Sequence, residues 1–333
     1  LGPSLGGLVI GAFSWRAIFL INIPLGLAAL LLAWRYLPAD RRHVTAVRIR
    51  FDTVGTLLLA LALAAYALAM TIGRGHFGVI NLALLAVAAV AAGLFVFAES
   101  KVAAPLVRLT LLRDRGLRTG LLTSGLVASV MMTTLVVGPF YLSLALGLKS
   151  AVVGLVLSIG PLVAAFMGVP AGRMADRLGA HRVTLIGLLG IAGGALLLAL
   201  LPAPVGIAGY VVPIVIITVG YALFQTANNT AVMREVAADQ RGVVSGLLNL
   251  SRNLGLVTGA SAMGAVFAFG SATTDITIAG PAAVADGMRV TFAVAATLIG
   301  FALTLAKHGR PPIAPQDRPA DPTTRVVDAA AVR

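Results

Sequence analysis

The chain has 333 residues, of which 59% are hydrophobic and only 11% charged, and its mean hydropathy is +0.99. A soluble domain carries about 25% charged residues and must clothe its surface in polar groups, so a cytosolic enzyme, a disordered chain and a small secreted domain are all excluded. Cysteine is absent, which removes disulfides, Cys–zinc sites and thiol nucleophiles, and leaves a net charge of +13 to be explained.

The composition predicts an all-α membrane protein with many spans, each about 20 mostly apolar residues long. Segment 1–12 is apolar but only half a span, and it begins at Leu1. It lacks the basic flank and cleavage site of a signal peptide, and half a helix cannot satisfy its backbone across a bilayer. The expectation is that further helices precede it in a longer protein. Nine complete stretches follow, roughly 17–36, 52–73, 78–98, 119–141, 150–170, 183–202, 207–231, 243–269 and 288–306. The tail from 307 is rich in Pro, Asp, Arg and Ala and has no apolar period, so it reads as a disordered tail.

The basic residues set the orientation. With the 37–51 segment on the cytoplasmic side, alternation puts 99–118, 171–182, 232–242 and the tail there too. Those segments and the adjoining membrane edge hold 20 of the 25 Lys and Arg, including Arg41, Arg42, Arg108, Arg113, Arg234 and Arg241. Only Arg16, Arg74, Lys149 and Arg289 fall on the other side, and Arg252 lies inside a span. This asymmetry explains the positive charge without nucleic acid. It predicts a multi-pass protein of the inner membrane with a cytoplasmic C-terminus.

Several patterns look chemical without the context their chemistry needs. Gly73-x-Gly75-x-x-Gly78 has the dinucleotide-loop spelling but joins two apolar spans rather than a strand and a helix. Gly2-x-Ser4-x-Gly6 has the spelling of a nucleophile elbow, yet that device needs a strand–turn–helix and partner Asp and His residues. His43, His76, His181 and His308 all fall in predicted loops or the tail and make no metal set. The acceptor patterns at Asn228–Thr230 and Asn249–Ser251 lie in or beside spans, out of reach of a glycosyltransferase.

Other patterns carry more. Gly2, Gly6, Gly7 and Gly11 surround Pro3 in the first segment, at a spacing that lets helices approach closely. Trp15-Arg-Ala-Ile-Phe-Leu-Ile-Asn-Ile-Pro-Leu-Gly26 follows. Together, G-P-x-x-G-G and W-R-x-I-F-x-I-N-x-P-x-G resemble spans 5 and 6 of the major facilitator superfamily, in its fourteen-span drug:proton antiporter branch (EmrB/QacA-like). Asp52-Thr-Val-Gly55 is similar to the start of that branch's span 7, and Asp52 is placed to cap the helix. Tyr141-Leu-Ser143-x-x-x-Gly147 resembles its span 9–10 junction, with Ser143 in place of a usual glutamine. Gly172-Arg-Met-Ala-Asp176-Arg177-Leu-Gly179-Ala-His181-Arg182 resembles the superfamily's cytoplasmic loop motif. In that motif Gly172 would let one helix end, and Asp176 would face the dipole of the next. An ordinary basic loop is the alternative. Ser245-Gly-Leu-Leu-Asn249-Leu-Ser-Arg252-Asn253-Leu-Gly255 resembles the span 13 pattern. Gly255 and Gly259 add a close-packing face there.

Arg252 stands roughly 10–15 Å into the membrane at 1.5 Å per residue. A buried arginine needs a cavity or a partner, and no carboxylate lies deep in any of the complete spans. A helix C-terminus, an amide such as Asn249, or an acid on another span could serve. The arginine could be coupled to function or could snorkel.

The resemblance implies a major facilitator fold running from half of span 5 through span 14. Residues 1–36 would belong to the N-terminal bundle, 37–51 to a basic cytoplasmic loop, and 52–98 to an inserted helix pair. After a cytoplasmic loop at 99–118, residues 119–306 would form a six-helix bundle and 307–333 the tail. The implied function is secondary transport: export of drugs or other amphipathic small molecules in exchange for protons by alternating access. No cofactor is implied beyond the proton gradient. The partners are the small-molecule substrate, protons and the lipid bilayer, with no nucleic acid, and a monomer suffices. Antiporter-motif residues are Gly2, Pro3, Gly6 and Gly7. Gate residues are Gly172, Asp176, Arg177, Gly179 and Arg182. Cavity or coupling candidates are Gln225, Asn228, Asn229, Asn249, Arg252, Asn253 and Tyr141. The proton-coupling acid is expected upstream of Leu1, so this stretch alone is expected not to transport. A non-transporting scaffold or receptor is the alternative, and would require a folded domain outside the membrane. The longest loops here are only about 15–20 residues.

Overall fold

The structure is a computed structural model that describes residues 15–36, 52–72, 78–102, 105–200, 205–234, 236–273 and 279–309. Its long helices are α1 (Trp15–Tyr36), α2 (Thr53–Thr71), α3 (Val79–Glu99), α4 (Arg115–Phe140), α5 (Ser150–Leu178), α6 (Ala180–Leu200), α7 (Gly206–Arg234), α8 (Arg241–Gly270) and α9 (Pro281–His308). Each of the nine predicted stretches falls on one of them, and all nine are long and apolar enough to span a bilayer. Leu, Ala, Val and Ile on every side of these helices suit lipid, where helices satisfy their own backbone. The segment carrying Gly2, Pro3, Gly6 and Gly7, the basic loop at 37–51 and the tail beyond 309 lie outside the described residues.

The structure corrects the sequence reading at the loop motif. Gly172 does not end a helix: α5 runs on to Leu178, and the break is the single residue Gly179. Ala171, Met174, Ala175 and Leu178 are good helix formers, so nothing stops the helix earlier. Gly179 takes φ +84, a left-handed conformation that favours glycine. The predicted twelve-residue loop at 171–182 thus shrinks to a one-residue hinge. His181 accordingly sits in the first turn of α6, and His308 is the last residue of α9, so neither is a loop histidine.

Two helix pairs approach through small residues. A Cβ added to Gly187 on α6 would lie 2.6 Å from the Gly220 carbonyl on α7, and one on Gly220 would lie 2.6 Å from the Gly187 carbonyl. On α4 and α8, Leu121, Gly125 and Ser129 face Ser251, Gly255 and Gly259, each set four apart. The Ser129 hydroxyl donates to the Gly255 carbonyl at 2.8 Å, and the Ser251 hydroxyl to the Leu121 carbonyl at 2.6 Å. These are the close contacts and polar stitches on which helix association in lipid depends. Helix α9 packs on α4, α6 and α8, and α5 packs on α7. Buried Leu188, Ile191, Phe224, Phe267 and Phe292 fill the space between.

Helices α2 and α3 form a hairpin. Asp52 caps α2 as the sequence predicts, accepting from the Gly55 amide at 2.9 Å. At the far end of α3, buried Glu99 accepts from the Leu106 and Val107 amides at 3.2 and 3.3 Å. Asn81, also buried, closes the hairpin. It donates to the Ala69 and Ile72 carbonyls at 2.7 and 2.5 Å and accepts from the Gly78 amide at 3.0 Å. The hairpin touches α8 through Tyr66–Thr258 and Ser261–Met70 hydrogen bonds. Asn81→Ala should leave three backbone groups without their partner. At about 1 kcal/mol per lost bond and more where a buried group is orphaned, the midpoint of thermal unfolding in detergent should fall by several degrees. An unchanged midpoint would show that the hairpin closes without Asn81.

Candidate functional site

Helix spacing puts the predicted polar residues on two facing stripes. On α7 they are Gln225, Asn228 and Asn229; on α8 they are Ser245, Asn249 and Arg252. Separations of three, four and seven place each set on one side of its helix. The structure brings these six together, with Ser124 of α4 and the apolar Phe224, Met233 and Leu248, around a cavity of about 130 Å³. Five of the seven cavity candidates meet here. Asn253, 100° around the helix from Arg252, is exposed and does not line the cavity. Tyr141 is elsewhere too: it begins a π-helical turn, Tyr141–Ala145, beyond α4. There it stacks on Tyr210 with ring centroids 5.9 Å apart, about 25 Å along the helix from Ser124. Ser143, in the same turn, donates back to the Pro139 carbonyl at 2.7 Å.

Arg252 lies about 16 Å along α8 from its start. Of the partners the sequence leaves open, an amide is the one present: the guanidinium donates to Asn249 Oδ1 at 3.1 Å. It also interacts electrostatically with the Tyr221 hydroxyl. Both groups are neutral, and no Asp or Glu lines the cavity among the described residues. Tyr221 was not singled out by the sequence. Its signal was there: it precedes Gln225 by one helical turn and so continues the α7 stripe.

Asn228 has a second role. It is buried, and its Nδ2 donates to the Gly120 carbonyl at 3.2 Å. It lines the Arg252 cavity on one side and, on the other, a larger space of about 380 Å³ at the ends of α4, α6, α7 and α9. That space is lined by Asp114, Thr119, Thr123, His181, Thr184 and Arg234, among others. One amide therefore separates two polar compartments within the packed helices.

The gate-motif residues cluster at the α5–α6 hinge. Asp176, Arg177 and Arg182 are exposed beside Gly179, apart from the cavity. No group of three His, Asp or Glu residues placed for a metal occurs among the described residues.

Residues 1–260 match the model of the Major Facilitator Superfamily. The chain is 30% identical over 298 residues to the uncharacterized transporter YebQ of Escherichia coli, an alignment covering 87% of this chain and 65% of YebQ. It is 30% identical to the multidrug resistance protein Stp of Mycobacterium tuberculosis, over 80% of this chain and 49% of Stp. It is 26% identical to the multidrug efflux pump LfrA of Mycolicibacterium smegmatis, over 99% of this chain and 62% of LfrA. The chain thus spans about half to two thirds of the length of these relatives.

Proposed function

The chain belongs to the Major Facilitator Superfamily, a family of membrane transporters rather than enzymes, and from that premise we propose that it is a secondary active transporter exporting amphipathic small molecules in exchange for protons. The observation that carries this reading is the cavity between α7 and α8. Seven polar side chains, one of them an arginine deep along its helix, converge in an otherwise apolar set of spans. Polar groups at that depth are expensive unless a pathway uses them. The names of Stp and LfrA, both drug-resistance proteins, support a drug-like substrate. Alternating access would rock the helices about an axis in the membrane plane, with the Gly179 hinge and its exposed Asp176, Arg177 and Arg182 as the contact that favours one conformer. In this reading the hinge faces the cytoplasm, as the arginine asymmetry requires. Gly2, Pro3, Gly6 and Gly7 belong to this reading as the antiporter motif that the sequence resembles.

The test is efflux from everted vesicles carrying the transporter at the full length of its coding sequence. An amphipathic dye is supplied outside and a pH gradient, acid inside, is imposed. Dye should accumulate while the gradient lasts and leak back when a protonophore collapses it. Accumulation that ignores the protonophore would remove proton exchange from the proposal, and no accumulation of any dye would remove export.

A further inference from the structure

We propose that the α7–α8 cavity selects amphipathic anions: solutes with a carboxylate, or a similarly charged acceptor group, on an apolar body. This rests on the transport reading above and names the substrate class for the same cavity.

A guanidinium carries five N–H donors and no acceptor, and it stays charged. Arg252 has one described hydrogen-bond partner, the Asn249 carbonyl oxygen, which carries no charge. Its positive charge is therefore uncompensated by any described residue lining the cavity. Such a charge attracts an anion and repels a cation. The rest of the polar lining does not oppose this choice. Gln225, Asn228, Asn229, Asn249, Ser124 and Ser245 each offer both donors and acceptors, so they accommodate either kind of head group, and Arg252 alone decides between them. Phe224, Met233 and Leu248 on the same walls supply the apolar surface for the rest of the molecule. Asn249 holds the guanidinium on one side and leaves its remaining donors for a planar carboxylate, the geometry in which arginine binds best.

The inference separates from a general drug pump because a pump for cationic drugs would place a carboxylate here. The experiment is equilibrium binding to the protein, at full coding length in lipid nanodiscs, of three probes that share one ring system: 2-naphthoate, 2-naphthamide and 2-naphthylmethylammonium. No gradient is applied. Naphthoate should bind at least tenfold more tightly than the ammonium, with the amide between. Raising salt from about 50 mM to about 500 mM should weaken naphthoate and spare the amide. Arg252→Gln should erase the carboxylate preference, and Arg252→Lys should keep part of it. Should Arg252→Gln fail to fold, the probe ranking and its salt dependence in the unmodified protein decide alone. Ammonium binding as tight as naphthoate, or a carboxylate preference that survives Arg252→Gln, overturns the proposal. A carboxylate preference in a protein that shows no proton-driven accumulation leaves this site assignment standing and removes only the export reading.

Discussion

Leucine at Gly259 should prevent α8 from seating on α4 and leave little folded protein. A side chain at this position has nowhere to go: its Cβ would lie 2.6 Å from the Ser129 Cα and closer still to the Ser129 carbonyl oxygen. A Cβ at Gly255 would run into the Gly125 carbonyl and sit 2.9 Å from the Ala128 Cβ. These neighbours are backbone or the stub of a side chain, so no rotamer change relieves the clash. One helix would have to move off the other, and the Ser129–Gly255 and Ser251–Leu121 hydrogen bonds would be lost with the contact. Overpacking by a single methyl costs about 1–3 kcal/mol, so Gly259→Ala should lower the unfolding midpoint measurably. Gly259→Leu adds three more carbons and should reduce the monodisperse fraction on size-exclusion chromatography to a small remnant. Gly172→Ala is the control. Nothing lies within 4 Å of its added Cβ, and it sits inside α5, where alanine is the better helix former by about 1 kcal/mol. It should be neutral or slightly stabilising. Equal behaviour of the two alanine variants would mean that the α4–α8 crossing is wider than described.

The same contrast shows what could be read from the residues alone. The spans were legible because lipid demands a long unbroken apolar run, and Leu, Val and Ala supply it in each of the nine. The Asp52 cap was legible because capping is decided within four residues. Gly255 and Gly259 were legible as a packing face by their spacing, although their partner α4 was not, since nothing local specifies which helix lies opposite. The Gly187–Gly220 contact between α6 and α7 went unnoticed for that reason: each glycine looks ordinary until the other is brought against it. The loop motif misled because a run of charged residues reads as a loop, whereas Arg, Met, Ala and Leu are content in a helix that emerges from the membrane, and only the positive φ of Gly179 ends it. For the cavity, the sequence supplied the polar residues but not the membership. The stripe 225, 228, 229 and the stripe 245, 249, 252 follow from helical spacing. Whether the two stripes face one another, and whether Tyr221 and Ser124 join them, depends on how α4, α7 and α8 cross.

Removing the charge at Arg252 should abolish most transport and spare the fold. Taking one member from a buried ion pair usually destabilises a protein, because the opposite charge is left unpaired. Arg252 has no such opposite among its described contacts. Its hydrogen-bond partner is the exposed Asn249, a neutral group at the wall of a polar cavity. Arg252→Ala should therefore reach the membrane in normal amounts and unfold at a midpoint equal to or above that of the unmodified protein. Function should respond differently. Charge-assisted hydrogen bonds contribute about 1.5–3 kcal/mol, which at 1.4 kcal/mol per factor of ten predicts a loss of roughly 10- to 150-fold in the initial rate of proton-driven accumulation. Arg252→Lys should fall between, since an ammonium keeps the charge but not the planar fork. Snorkelling and coupling to function, the two readings that the sequence leaves open for this arginine, make opposite forecasts here. A residue that merely reaches for the membrane edge could be lost without consequence for the solute, so unchanged accumulation at normal expression would strike Arg252 from the site. A fall in accumulation with an intact unfolding midpoint would identify its charge as part of the pathway.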